Sequence, residues 1–144
     1  MILENKLTQI IDELAIKNNI LIAILFGSQA KGDNNQDSDV DIAFLFEDQF
    51  LSNKNVLELR SEFISVFSSK IKKDCDIIFI NQAPPLLKYQ AVKYGKEIYR
   101  DDDFDYGSFY SRALKEYFDF KYYQDYHNEE LLQRIKKGGK VNGG

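Results

Sequence analysis

Positions 20–26 read Ile-Leu-Ile-Ala-Ile-Leu-Phe, an unbroken apolar run that stops at Gly27. Without polar residues at alternate positions, neither side of such a segment can face water, so the run predicts a short strand buried on both faces. A strand of that kind needs cover above and below it. The expectation is therefore an α/β architecture, a sheet with helices packed against it.

The flanking segments carry the periodicity that such cover requires. Leu3, Leu7, Ile10, Ile11, Leu14 and Ala15 recur at helical spacing and predict an amphipathic helix ending near Asn18 and Asn19. Positions 27–38 are polar and rich in turn formers, which predicts a loop. Beyond it, 40–46 predict a second strand, 56–67 a helix and 77–80 a third strand. Pro84 and Pro85 open a helix that runs to Gly95, because the first helical turn does not use the N–H that proline lacks. A short extended piece at 97–100 follows, then a long helix at 108–137 dense in tyrosine and phenylalanine. The glycine-rich end, 138–144, predicts a disordered tail.

This order implies a small sheet of mixed strand direction flanked by helices, with a long C-terminal helix. At 144 residues and 44% hydrophobic content, one compact unit is expected: a core over 1–100 and a helical extension over 101–137 packed on the core or on a partner. Net charge of −4 argues against bulk nucleic-acid binding, and Lys136, Lys137 and Lys140 suit the dipole at a helix C-terminus. The single cysteine, Cys75, cannot form an intrachain disulfide, and no apolar stretch approaches the roughly 20 residues that cross a bilayer. A cytoplasmic protein is expected.

Chemistry concentrates at the end of the first strand. Gly27 lacks a Cβ, so a phosphate oxygen can approach its backbone, and Ser28 adds a hydroxyl at the expected start of a helical turn, where unpaired N–H groups attract anions. Asp39 and Asp41 stand two apart at a strand start, which sends both carboxylates to one face. Two like charges held together raise each other's pKa unless a cation lies between them. Hard oxygen donors with no histidine or thiolate nearby suit Mg²⁺, or Mn²⁺, and Mg²⁺ characteristically takes one or two carboxylates plus substrate phosphates.

Gly27-Ser28, ten residues, then Asp39-Val40-Asp41 resembles the signature of the nucleotidyltransferase superfamily to which DNA polymerase β belongs, and Gly32 and Ser38 match its fuller pattern. The resemblance implies a polymerase β-like fold, ATP as substrate, two metal ions held by Asp39 and Asp41, and a third acidic residue from a neighbouring strand. Asp74 and Asp76 are the candidates; Asp76 directly precedes the apolar run, as the family's third aspartate does, and by resemblance accepts the proton of the attacking hydroxyl. Gly27, Ser28 and Lys31 would grip the nucleotide. Lys31 stands where many members have arginine, keeping the charge but not the planar fork.

The chain is scarcely larger than a catalytic core. Its segments 81–88 and 95–99, with Tyr117-Phe118-Asp119-Phe120 and Leu131-Leu132-Gln133-Arg134-Ile135, look like the minimal nucleotidyltransferase antitoxins that accompany HEPN-domain toxins. That resemblance implies transfer of AMP to a tyrosine of a cognate HEPN RNase toxin, which silences it. Two alternatives stand beside it: transfer to a small-molecule hydroxyl, or a non-catalytic antitoxin that masks the toxin sterically. The aromatic residues from Phe109 to Tyr126 exceed what one helix face can hold, so they either reach a partner, as in a hetero-oligomer, or close the core or a homodimer. His127, Cys75, Asp33 and Asp37 read as structural or solvated, and the run Asp101-Asp102-Asp103 as favouring the N-terminus of the next helix.

Overall fold

A computed structural model describes residues 2–27 and 39–138 of the chain. Helix α1 (Ile2–Ala15), strands β1 (Ile20–Phe26) and β2 (Val40–Phe46), helix α2 (Val56–Ile71), strand β3 (Cys75–Phe79), helix α3 (Pro85–Tyr94), strand β4 (Lys96–Arg100) and helix α4 (Tyr106–Gly138) follow in order. Short 3₁₀ turns occupy Leu51–Asn53 and Ile80–Gln82. The strands form one sheet in the order β3-β2-β1-β4. β1 pairs antiparallel with both β2 and β4, whereas β2 and β3 run parallel. A parallel neighbour needs a crossover, and α2 supplies it.

The doubly buried strands are covered on both sides. One face carries Val40, Ile42, Phe44 and Phe46 of β2 and Ile77 and Phe79 of β3 against Leu7 and Ile11 of α1 and Phe63 and Phe67 of α2. The opposite face presents Ile22, Ile24 and Ala43 to Ala91 and Val92 of α3 and to Phe109 and Ala113 of α4. The result is helix, sheet, helix in three layers, the mixed α/β sandwich that the hydropathy required.

Several boundaries differ from the sequence expectation. β3 begins at Cys75, ahead of the apolar run, because Cys75 and Asp76 pair in register with Val40 and Asp41; the neighbouring strand, not local hydropathy, sets where pairing starts. α1 stops at Ala15, and α2 continues to Ile71 before Lys72, in the left-handed region at φ 65°, donates its N–H to the Ser68 carbonyl at 2.9 Å. At the start of α4 the cap is Asp105: its Oδ1 accepts the Ser108 N–H at 3.1 Å, and its Oδ2 accepts the Ser108 hydroxyl at 2.7 Å. Gly138, expected in the tail, is the last residue of α4. The rest of that tail, 139–144, lies outside the described residues.

The aromatic residues of α4 are part packed and part exposed. Phe109 is buried, and Tyr117 lies flat on Tyr89 of α3 with ring centroids 4.1 Å apart. Phe118, Phe120, Tyr122, Tyr123 and Tyr126 are exposed, as are Leu131, Leu132 and Ile135 further along the helix. Among the described residues no helix is long and apolar enough to cross a membrane.

The far end of β2 is tied down by one side chain. Asn81 Oδ1 accepts the Phe46 N–H at 2.9 Å, and Asn81 Nδ2 donates to the Phe46 carbonyl at 3.0 Å. The side chain thereby extends the ladder that the strand has run out of. Asn81→Ala removes both bonds, and a loss of about 1–2 kcal/mol is expected. The check is urea unfolding, with a lower midpoint and an unchanged slope.

Candidate active site

Three strands bring their ends together at one margin of the sheet. Phe26, the last residue of β1, is the partner of Asp41 on β2, and Asp41 is the partner of Asp76 on β3. Directly paired residues on neighbouring strands point their side chains to the same face, so the Asp41 and Asp76 carboxylates are neighbours by register. Asp39, exposed, stands two residues before Asp41, just ahead of β2. Of Asp74 and Asp76, it is Asp76 that the register places beside Asp41. Asp74 lies before β3 and uses its carbonyl to accept the Val40 N–H at 3.0 Å.

Electrostatics reports the same cluster. Partial burial of the Asp41 carboxyl, then the negative charge of Asp76 and then that of Asp39, raise its pKa above the usual carboxylate value. Gly27 closes the cluster from the β1 side. Its φ of +77° is left-handed, and a Cβ placed there would overlap Asp41 Oδ2. The glycine is thus needed twice over, for the turn and for the close approach, and the group approaching it among the described residues is a carboxylate. Ser28 and Lys31, the other expected nucleotide-gripping residues, lie outside the described residues, as do Gly32, Asp33, Asp37 and Ser38.

One neighbour of the site had no signal in the sequence. Arg60 of α2 reaches the free edge of β3, where its Nε donates to the Ile77 carbonyl at 2.7 Å and its Nη2 stands 3.7 Å from Asp76 Oδ1. The backbone bond anchors the guanidinium, so a positive charge sits beside the outermost carboxylate. Only the packing of α2 puts Arg60 there, and helical periodicity marks it as no more than a surface residue. Cys75, next to Asp76 in sequence, is buried, and burial pushes its thiol pKa up, which suits an inert packing role.

The donor chemistry fits a hard divalent cation. Two carboxylates face each other with a third two residues away, and their mutual repulsion is what such an ion relieves. Among the described residues no three acidic, histidine or cysteine side chains close on a common point. An ion held here would therefore take further oxygens from water or a phosphate-bearing substrate, the usual habit of Mg²⁺.

Comparison with known proteins agrees with this geometry. Residues 8–104 match the family described as Polymerase beta, Nucleotidyltransferase. The fold is similar to a chain in a crystal structure of a toxin–antitoxin with AMP-PNP, with TM-score 0.71 and 25% identity over 90% of this chain and 98% of that one. It is similar also to a chain in the complex of a tri-AMPylated Shewanella oneidensis HEPN toxin with an MNT antitoxin, with TM-score 0.66 and 21% identity over 90% of this chain and 98% of that one. Among curated proteins no sequence match was found.

Proposed function

Since the chain belongs to the polymerase β nucleotidyltransferase family, we propose that it is an antitoxin that transfers AMP from ATP to a tyrosine hydroxyl of a HEPN-domain toxin and silences it. The observation that carries the chemistry is the in-register pairing of Asp41 with Asp76 beside Gly27. The partner and the nucleotide rest on likeness: the similar structures contain a toxin, AMP-PNP in one and an AMPylated HEPN toxin in another. Nearly the whole of each similar chain is covered by this one.

In the reaction, the acceptor oxygen forms a bond to the α-phosphorus in line with the bond that breaks, and pyrophosphate leaves. The hydroxyl proton passes to a carboxylate, Asp76 in this reading, which is exposed and so open to an incoming segment. Asp39, Asp41 and Asp76 would hold Mg²⁺ or Mn²⁺, two ions on the family pattern, which when bound supply positive charge to the attacking and leaving oxygens. Gly27 lets the phosphates approach the backbone, while Ser28 and Lys31 bind them. Arg60, anchored on β3, steadies Asp76.

The test is intact-mass spectrometry of the toxin after incubation with this protein, ATP and Mg²⁺. A gain of one or more AMP masses is expected with the wild type and none with Asp39→Ala. If both proteins neutralise the toxin equally and its mass stays unchanged, a steric antitoxin replaces the enzyme. Transfer to small hydroxyl compounds but not to the toxin would point to the small-molecule alternative.

A further inference from the structure

A cavity of about 290 Å³ opens beside Gly27, lined by Phe26, Gly27, Gln90 and Tyr94. It lies on the acidic side of the sheet: α3, which supplies Gln90 and Tyr94, packs on the face that carries Ala43, and Asp41 shares that face by strand alternation. Gln90 and Tyr94 stand one helical turn apart, so their side chains emerge together. Neither is buried. Gln90 is exposed, Tyr94 is 60% exposed, and the Tyr94 ring meets Tyr89 edge-on at 6.4 Å.

We propose that this cavity is the base subsite of the nucleotide and that Gln90 makes it selective for adenine, with Tyr94 stacking on the ring; the inference rests on the nucleotidyl-transfer reading above. The cavity sits at the lower limit of small-molecule sites, about 300 Å³, so it suits a base and not a whole triphosphate. Its contact with Gly27 leaves the phosphates to run outward to Asp41. Phe26 supplies apolar surface and the phenol ring a flat platform, and stacking on an aromatic holds any base without choosing among them. Choice falls to the amide. Glutamine offers one donor group and one acceptor, which match the N7 acceptor and N6 donor of adenine, whereas guanine presents two acceptors along the same edge and leaves the amide carbonyl facing another carbonyl.

The experiment is equilibrium binding of ATP, GTP, CTP and UTP, each with Mg²⁺, to the full-length wild type, Gln90→Ala, Tyr94→Ala and Tyr94→Phe. ATP is expected to bind wild type at least about 10-fold more tightly than GTP, a preference that Gln90→Ala erases. Tyr94→Ala should weaken all four by about 10-fold, and Tyr94→Phe should restore them. Equal binding of ATP and GTP by wild type, an unchanged preference in Gln90→Ala, or an unaffected Tyr94→Ala overturns the subsite. If wild type binds no triphosphate, nucleotidyl transfer itself falls, and the base subsite with it.

Discussion

Asp41→Asn is expected to slow AMP transfer by at least about 10²–10³-fold, the scale for losing a group that stabilises charge in the transition state, measured as the rate of labelled AMP incorporation into the acceptor. Asparagine keeps the shape and removes the charge, so the fold should survive. The same variant should melt higher than wild type in the presence of a chelator. Asp41 is the carboxyl whose pKa is raised by its own burial and by Asp76 and Asp39. A raised folded-state pKa means that the folded chain holds the proton more tightly than the unfolded chain; the ionised carboxylate is then a burden that appears as pH climbs through that value. At low pH the two proteins should melt alike, and the gap should open as pH rises beyond the ordinary carboxylate range. Because the group is partly solvated, the effect is limited to about 1 kcal/mol, or no more than about 4 °C in Tm. Mg²⁺ should raise the wild-type Tm and leave Asp41→Asn where it was. A variant that transfers AMP at the wild-type rate removes Asp41 from the chemistry.

Gly27→Ala should damage the site as severely by steric means. Alanine at φ +77° carries a backbone penalty of about 1–2 kcal/mol, and its Cβ would overlap the Asp41 carboxylate. The carboxylate must turn away or the end of β1 must shift, and a displacement near 1 Å at a reacting centre can lower a rate about 100-fold. The expected result is a rate about 100-fold down together with a lower unfolding midpoint. Rate assays beside urea melts distinguish this from simple unfolding, because the stability loss is too small to empty the folded state of a typical domain. A fully active Gly27→Ala would mean that Asp41 has no such contact.

How much of this could be read in advance depended on whether the signal was local. The runs at 20–26 and 40–46 became β1 and β2 with those bounds, because a doubly buried strand has no other way to satisfy its hydropathy. The Gly27, Asp39 and Asp41 positions were legible for the same reason: spacing along one stretch of chain carries their geometry. Asp76 was chosen over Asp74 only through family resemblance, since its position beside Asp41 comes from the parallel register with β2, and register between distant strands leaves no mark on either sequence. Arg60, Gln90 and Tyr94 were invisible. Each is a polar or amphipathic residue on a helix surface, and it gains a role only from what lies across the gap. The cap of α4 was not legible either: Asp105 makes it through Ser108, and nothing sets Asp105 apart in sequence from the three aspartates before it.

The parallel pairing of β2 with β3 also makes the third acid a long-range contribution. β1 and β2 meet antiparallel, whereas β3 reaches β2 only after the α2 crossover has folded back over the sheet. Non-local pairing of this kind is the slow event in forming a sheet. A chain with only its first two strands joined holds Asp39 and Asp41 but not Asp76, and so lacks one of the three acids to which the proposed function assigns the transfer. In the proposed function, completing the trio of acids requires closure of the crossover.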